Sequence, residues 1–176
     1  MSDNMRNELA WLIETPRLAM RHFTIEDAAS VFAFNSDPKV LRYLGEADKT
    51  CSLEEAETVI KDIWLREYQQ YGYARYALVH KHDKQVIGFC GFKFEVDEGY
   101  PDIGYRIMPK YWNRGLVSEA CSALMPYGRN ELGLEKVIAM AAVDNIASNR
   151  IIQRLGFNRV ARFEHAGMPH YRYQNW

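Results

Sequence analysis

Between residues 73 and 108 three β-rich runs, 73–80, 85–94 and 100–108, are separated only by the turn formers His82-Asp83-Lys84 and Asp97-Glu98-Gly99. Connections this short join antiparallel neighbours, because a parallel crossover needs roughly a dozen residues or more. The middle of the chain is therefore a three-stranded meander, and everything else must extend it or pack on it. Ahead of it, 17–23 reads as a strand, Thr24 caps a helix with Asp27 in its first turn, and Asp37-Pro38 opens another short helix. Ser52-x-x-Glu55 is a capping box, after which Leu53, Ala56, Ile60, Ile63, Trp64 and Tyr71 recur at helical spacing up to Gly72. Behind it come a helix from Leu116 towards Asn130 stopped by Gly133, a buried strand over 136–143, and a helix from the Asn145 cap to Leu155. Strands over 157–165 and 170–176 complete the chain. Pro126 removes a donor inside the long helix and predicts a kink or an early end there. This order gives an α/β (α+β) fold, a mixed sheet with helices on both faces.

The 176 residues fit one domain over 1–176, long enough for a core without metal or disulfide staples. Lys and Arg number 22 against 23 Asp and Glu, so a net charge of −1 offers no basic field for nucleic acid or anionic membrane. The expectation is no direct nucleic-acid partner and no membrane. No run reaches the roughly 18 apolar residues of a span, and the first fourteen residues carry no apolar core of a secretory signal. Cys51, Cys90 and Cys121 form neither an even set nor a C-x-x-C spacing, which predicts no zinc site and a reduced, cytoplasmic setting.

The segment 105–120 places a strand end, a short loop with Gly115 and a helix start in succession. Such a junction aims free backbone N–H groups and the positive end of a helix dipole at one point, a seat for a pyrophosphate, with Arg114 as a mobile charge beside it. Here the sequence resembles the GCN5-related N-acetyltransferases, in the branch similar to bacterial ribosomal-protein N-terminal acetyltransferases. Three stretches carry the likeness. They are Glu14-Thr-Pro-Arg-Leu18 with Phe23-Thr-Ile-Glu-Asp27 and Asp37-Pro38; Ile103-Gly-Tyr105 through Gly115 to Ser118-Glu-Ala120; and Asn145-x-x-Ser148 followed by Leu155-Gly-Phe157.

The resemblance implies a mostly antiparallel mixed sheet with a splayed central strand pair that receives acetyl-coenzyme A as co-substrate. The family's pyrophosphate loop, Q/R-x-x-G-x-G/A, falls on Trp112 to Val117: Gly115 matches, Trp112 replaces Gln or Arg, and Val117 replaces the final small residue. The residues implied to present N–H groups are Trp112, Asn113, Arg114, Gly115, Leu116 and Val117, with the pantetheine arm pairing along 103–108. A free N–H near Ile107 or Met108 is the expected donor to the thioester carbonyl. Ser148 is implied as hydrogen-bond donor to the leaving thiolate, and Asn145 as the residue orienting the pantetheine amides. Without the family, Asn145 reads as an N-cap and Ser148 as part of that cap turn.

An amine must lose a proton to attack, and Asp102 and Glu95 on the meander are the carboxylates placed to take it. The expected reaction is acetyl transfer to a primary amine, foremost a protein N-terminal α-amine. The alternatives are a small amine, such as a polyamine, amino acid or aminoglycoside, and a non-catalytic acyl-coenzyme A sensor. Glu95, Asp97, Glu98 and Asp102 cluster near one turn, which predicts a preference for basic N-termini. No metal is expected: His80 and His82 share a strand face without a third ligand, and Cys90 and Cys121 read as buried small residues. The tail residues Tyr171, Tyr173 and Trp176 read as strand packing, with an acceptor-pocket wall or a homodimer edge as the other readings.

Overall fold

The computed structural model describes residues 10–45 and 49–176. Among the described residues the strands are β1 (Ile13–Glu14), β2 (Leu18–Arg21), β3 (Arg75–His80), β4 (Gln85–Glu95), β5 (Tyr100–Ile107), β6 (Ile138–Ala142), β7 (Asn158–His165) and β8 (Met168–Gln174). They form one sheet in the order β1-β2-β3-β4-β5-β6-β8-β7. The predicted meander is β3-β4-β5, paired antiparallel throughout. One neighbouring pair is parallel, β5 with β6, and it is joined at a single register position, Asp102 opposite Ile138. Beyond that point the two strands part, which is the splay expected from the family. The last β-α-β differs in detail, because β8 inserts between β6 and β7 and leaves β7 as an exposed edge. Tyr173 is buried in the core and Trp176 packs on Tyr100, so the tail's aromatics serve largely as packing.

Helices α1 (Ala28–Ser36), α2 (Pro38–Leu41), α3 (Leu53–Thr58) and α4 (Leu65–Tyr71) lie on one side of the sheet. There Phe23, Val31, Phe34, Ile60 and Trp64 pack on Ala77, Val79 and Phe89. Helix α5 (Leu116–Leu132) covers the other side, its Leu116, Ala120, Cys121 and Leu124 set against Ile87, Cys90, Phe92 and Ile103; α6 (Ile146–Arg154) adds Ile152 to that core. The helix predicted from Leu53 to Tyr71 exists, but its middle, Val59–Trp64, is wound as a π-helix. Core-facing Ala56, Ile60, Trp64 and Tyr68 recur every four residues, a period wider than the 3.6 of an α-helix, so loosening the turn keeps them on one side.

The long helix runs on to Leu132, contrary to the early end predicted at Pro126. Pro126 and Ser122 both lie on its exposed side, so the carbonyl deprived of a partner faces water, while buried residues on both sides of the proline hold the helix down. Among the described residues no helix is long and apolar enough to cross a membrane. The first nine residues of the stretch read for a leader lie outside the described residues.

Candidate active site

Where β5 leaves β6, a cleft of about 570 Å3 opens between the end of β5, the loop before α5, and α6. Its floor is backbone. Asn113 and Gly115 both adopt positive φ, +59° and +72°, and Gly115 is the N-cap of α5 without a side-chain cap. The first bond of the helical ladder is Glu119 N–H to the Gly115 carbonyl. The N–H groups of Leu116, Val117 and Ser118 therefore precede that ladder and face the cleft, where an anion also meets the positive end of the helix dipole. Arg114, Arg150 and Arg154 line the same space.

Three ties fix this loop. Trp112 Nε1 donates to the Ile107 carbonyl at 2.9 Å, and the Tyr111 hydroxyl donates to Asp83 in the β3-β4 turn. The third explains the Thr-Pro-Arg motif near the N-terminus. Arg17 Nη1 donates to the Arg114 carbonyl at 2.8 Å, Arg17 Nε reaches Glu119 Oε2 at 2.7 Å, and Thr15 Oγ1 donates to Glu119 Oε1 at 2.6 Å. Burial works to raise the Glu119 carboxyl, but these bonds outweigh it and hold the group below its usual range.

The end of β5 separates the two N–H groups expected as donors. Met108 N–H is bonded to the Ile87 carbonyl at 2.8 Å. In an antiparallel strand successive N–H groups point to opposite sides, so Ile107 directs its own towards the opening. Ile107 lines the cleft and Met108 does not. Of the two donors expected, the one at Met108 is excluded by that bond.

On α6, Asn145 Oδ1 accepts from Ser148 N–H at 3.2 Å, an N-cap, and both residues line the cleft. Ser148 is buried, and its Oγ lies 2.6 Å from the hydroxyl of Tyr105. Burial pushes the Tyr105 phenol far above its ordinary range, so it stays protonated.

Through the splay, on the side of α1 to α4, lies a second cavity of about 180 Å3 that shares Tyr43, Leu44, Tyr105, Arg106, Asn145 and Ser148 with the cleft. Asp102 and His170 are among its walls. Asp102 is buried and paired with Arg75, whose Nη2 donates to Oδ2 at 2.9 Å; Oδ1 is buried without a hydrogen-bond partner. Gly104 leaves the space through which the Arg75 guanidinium crosses the strands, and Gly91 allows the close approach of β4 to the backbone of β3. A Cβ on Gly104 would sit 2.5 Å from the guanidinium, and one on Gly91 would meet the Ala74 carbonyl at 2.4 Å. Burial pushes the Asp102 carboxyl up to about 6, against the opposing pull of Arg75. His170 Nδ1 faces the Met168 carbonyl at 3.0 Å. A carbonyl only accepts, so in the neutral ring that nitrogen carries the proton and Nε2 keeps its lone pair.

The structure thus brings together Ile107, Trp112, Asn113, Arg114, Gly115, Leu116, Val117, Asn145 and Ser148, with Asp102 across the splay. It does not bring Glu95, which stands near the far end of β4 outside both cavities with Lys93 at 3.2 Å. The carboxylate cluster is largely paired: Lys93 faces Glu95, Arg172 binds Glu98 and Arg75 binds Asp102, which weakens the basis for a preference for basic N-termini. Arg75 and His170 escaped the sequence reading, and Tyr105 entered it only as part of a motif. Arg75, directly after Ala74 in an apolar strand, was the one visible signal, since a charge there has to find a buried partner. Among the described residues no group of three or more His, Cys, Asp or Glu side chains is placed to hold a metal.

The Acetyltransferase (GNAT) domain family matches residues 17–158. The chain is 33% identical over 165 residues to the uncharacterized N-acetyltransferase YoaA of Bacillus subtilis (strain 168), covering 93% of this chain and 89% of that one. It is 30% identical over 89 residues to the ribosomal-protein-serine acetyltransferase of Escherichia coli (strain K12), half of this chain and 49% of that one. Among solved structures, RimL, a ribosomal L7/L12 alpha-N-protein acetyltransferase in complex with coenzyme A, superposes with a TM-score of 0.80 at 19% identity, covering 94% of this chain and 97% of its own.

Proposed function

The chain belongs to the GNAT family and is an N-acetyltransferase of that type, and on that premise we propose that it acetylates the N-terminal α-amine of a protein, with acetyl-coenzyme A as donor. The observation that carries the reading is the meeting of two cavities at Tyr105 and Ser148, one floored by free N–H groups and flanked by arginines, the other walled by a raised carboxyl. The donor thioester supplies an activated acetyl carbon. The α5 N-terminus, with Arg114, Arg150 and Arg154, holds its phosphates. Asn145 orients its amides, Ile107 N–H polarises the carbonyl, and Ser148 hydrogen-bonds the departing sulfur.

On the acceptor side Asp102 stands three residues from Tyr105 along β5, about 10 Å of extended strand. It therefore receives the amine's proton through water held in the cavity. A carboxyl near 6 suits an α-amine of pKa about 7.7–8.0 far better than a lysine at about 10.4, which is neutral only about 0.1% of the time near pH 7.5. A cavity of about 180 Å3 accepts a terminal residue and its amine, not a folded surface. The relatives that act on ribosomal proteins support the same acceptor class. The free thiols suit a reduced cytoplasm.

The test is a peptide carrying both a free N-terminus and a lysine, incubated with acetyl-coenzyme A and mapped by tandem mass spectrometry. Acetyl on the α-amine before any lysine is the expected product. Turnover of polyamines or amino acids with none of peptides assigns the enzyme to small amines instead, and binding without turnover assigns it to acyl-coenzyme A sensing.

A further inference from the structure

Tyr105 stands where the two cavities meet, and the transfer set out above makes no use of its hydroxyl. It alternates with Ile103 and Ile107 on β5, lines both cavities, and approaches Ser148 Oγ at 2.6 Å, with the Ser148 carbonyl oxygen at 3.3 Å. Two hydroxyls at that distance share one hydrogen, and the neighbouring carbonyl sets its direction. The Ser148 carbonyl can only accept and also lies within reach of Tyr105 Oη, so the phenol's hydrogen is directed at Ser148 and Tyr105 is the donor. Tyr105 Oη–H then points at Ser148 Oγ, and the serine's own hydrogen is free to point elsewhere. A hydroxyl that already accepts a hydrogen bond is in turn a stronger donor.

We propose that Tyr105 is a positioning residue that makes Ser148 a one-way hydrogen-bond donor aimed at the sulfur leaving the thioester. The inference rests on the acetyltransferase reading but not on the identity of the acceptor. In the transfer the N–C bond forms as the C–S bond breaks, and the electron pair of the broken bond stays on sulfur. The amine gives up one proton towards Asp102 and the sulfur takes one from solvent, with Ser148 stabilising the thiolate between those events. Tyr105 itself stays neutral, since its burial disfavours the phenolate.

The test uses coenzyme A alone. Titrating the thiol of the bound coenzyme by thiolate absorbance reads the Tyr105–Ser148 donor pair directly and needs no acceptor, so it stands apart from any failure of the α-amine reading. Ser148→Ala is expected to raise the bound thiol pKa by about one unit and Tyr105→Phe by about half a unit, the scale of one neutral hydrogen bond and of its reinforcement. The double variant should match Ser148→Ala, because Tyr105 acts only through the serine. Tyr105→3-fluorotyrosine, which keeps the shape and sharpens the donor, should lower the thiol pKa below that of the natural protein. With an accepted amine, Tyr105→Phe should lower kcat about fivefold and leave coenzyme affinity within about twofold. A thiol pKa unmoved by Tyr105→Phe, a double variant shifted beyond Ser148→Ala, or a loss confined to coenzyme affinity would overturn the proposal.

Discussion

The two cavities that meet at the splay are built by opposite means. The cleft proposed for the coenzyme has a floor of main chain, from the stretch between Ile107 and Val117 braced by Arg17 and Glu119, with side chains such as Asn145, Ser148 and Arg150 of the α6 region on its walls. The cavity proposed for the acceptor is mostly side chains, with Tyr43, Arg75, Asp102, Met140 and His170 drawn from five separate parts of the chain. A surface of N–H groups tolerates side-chain change so long as the backbone keeps its path, whereas a surface of side chains changes with each substitution. That contrast accounts for Trp112 and Val117 standing where the family motif has other residues. The indole of Trp112 ties the loop to Ile107 without altering the N–H groups beside it.

The sharpest way to break the contrast is at Arg75, because the acceptor side hangs on one buried pair. Arg75→Met leaves Asp102 buried without its partner and should cost about 3–5 kcal/mol of stability at neutral pH, read by thermal unfolding. The native carboxyl is already raised to about 6, so the folded state holds its proton more tightly than the unfolded chain. Stability from this group is present at low pH and is lost as pH rises through about 6. Removing Arg75 raises the carboxyl further, so the variant's deficit should shrink on acidification.

Asp102→Asn comes next, with a loss of about a hundredfold in kcat/KM for the amine and little change in coenzyme affinity. In the natural enzyme kcat/KM should show an inflection near pH 6, falling on the acid side as Asp102 protonates, and the Asn variant should lack it. On the coenzyme side Gly115→Val forces a β-branched residue into φ +72°, and calorimetry should find acetyl-coenzyme A bound at least about tenfold more weakly. Arg114→Ala should have the smallest effect, a loss of about twofold to threefold that fades as salt is added, because the side chain is exposed and the backbone does most of the holding.

The same contrast explains what was legible in the sequence. Gly115, the strand before it and the helix after it are local, and a local pattern suffices to place a backbone anion site. Asn145 and Ser148 lie three residues apart on one helix, so their common side followed from spacing alone. The acceptor wall required knowing that β8 inserts beside β6, which brings His170 opposite Ala142, and no local pattern records that register. Asp102 was singled out because it adjoins a motif. Glu95 was misplaced because its distance from the cleft is set by the length of β4, seven residues beyond Gly88, where β4 faces Ile107. The π-helical turn in 59–64 was missed, and the early end at Pro126 did not occur, for another reason: in both, burial against the sheet outweighs local winding preference.

The central claim is that the splay joins a donor site to an acceptor site, and thiol release tests it most directly. Mixed with acetyl-coenzyme A and a peptide bearing a free α-amine, the protein should release coenzyme A thiol in one-to-one ratio with N-terminally acetylated peptide. Coenzyme binding with no thiol release from peptides or from any amine would contradict the account.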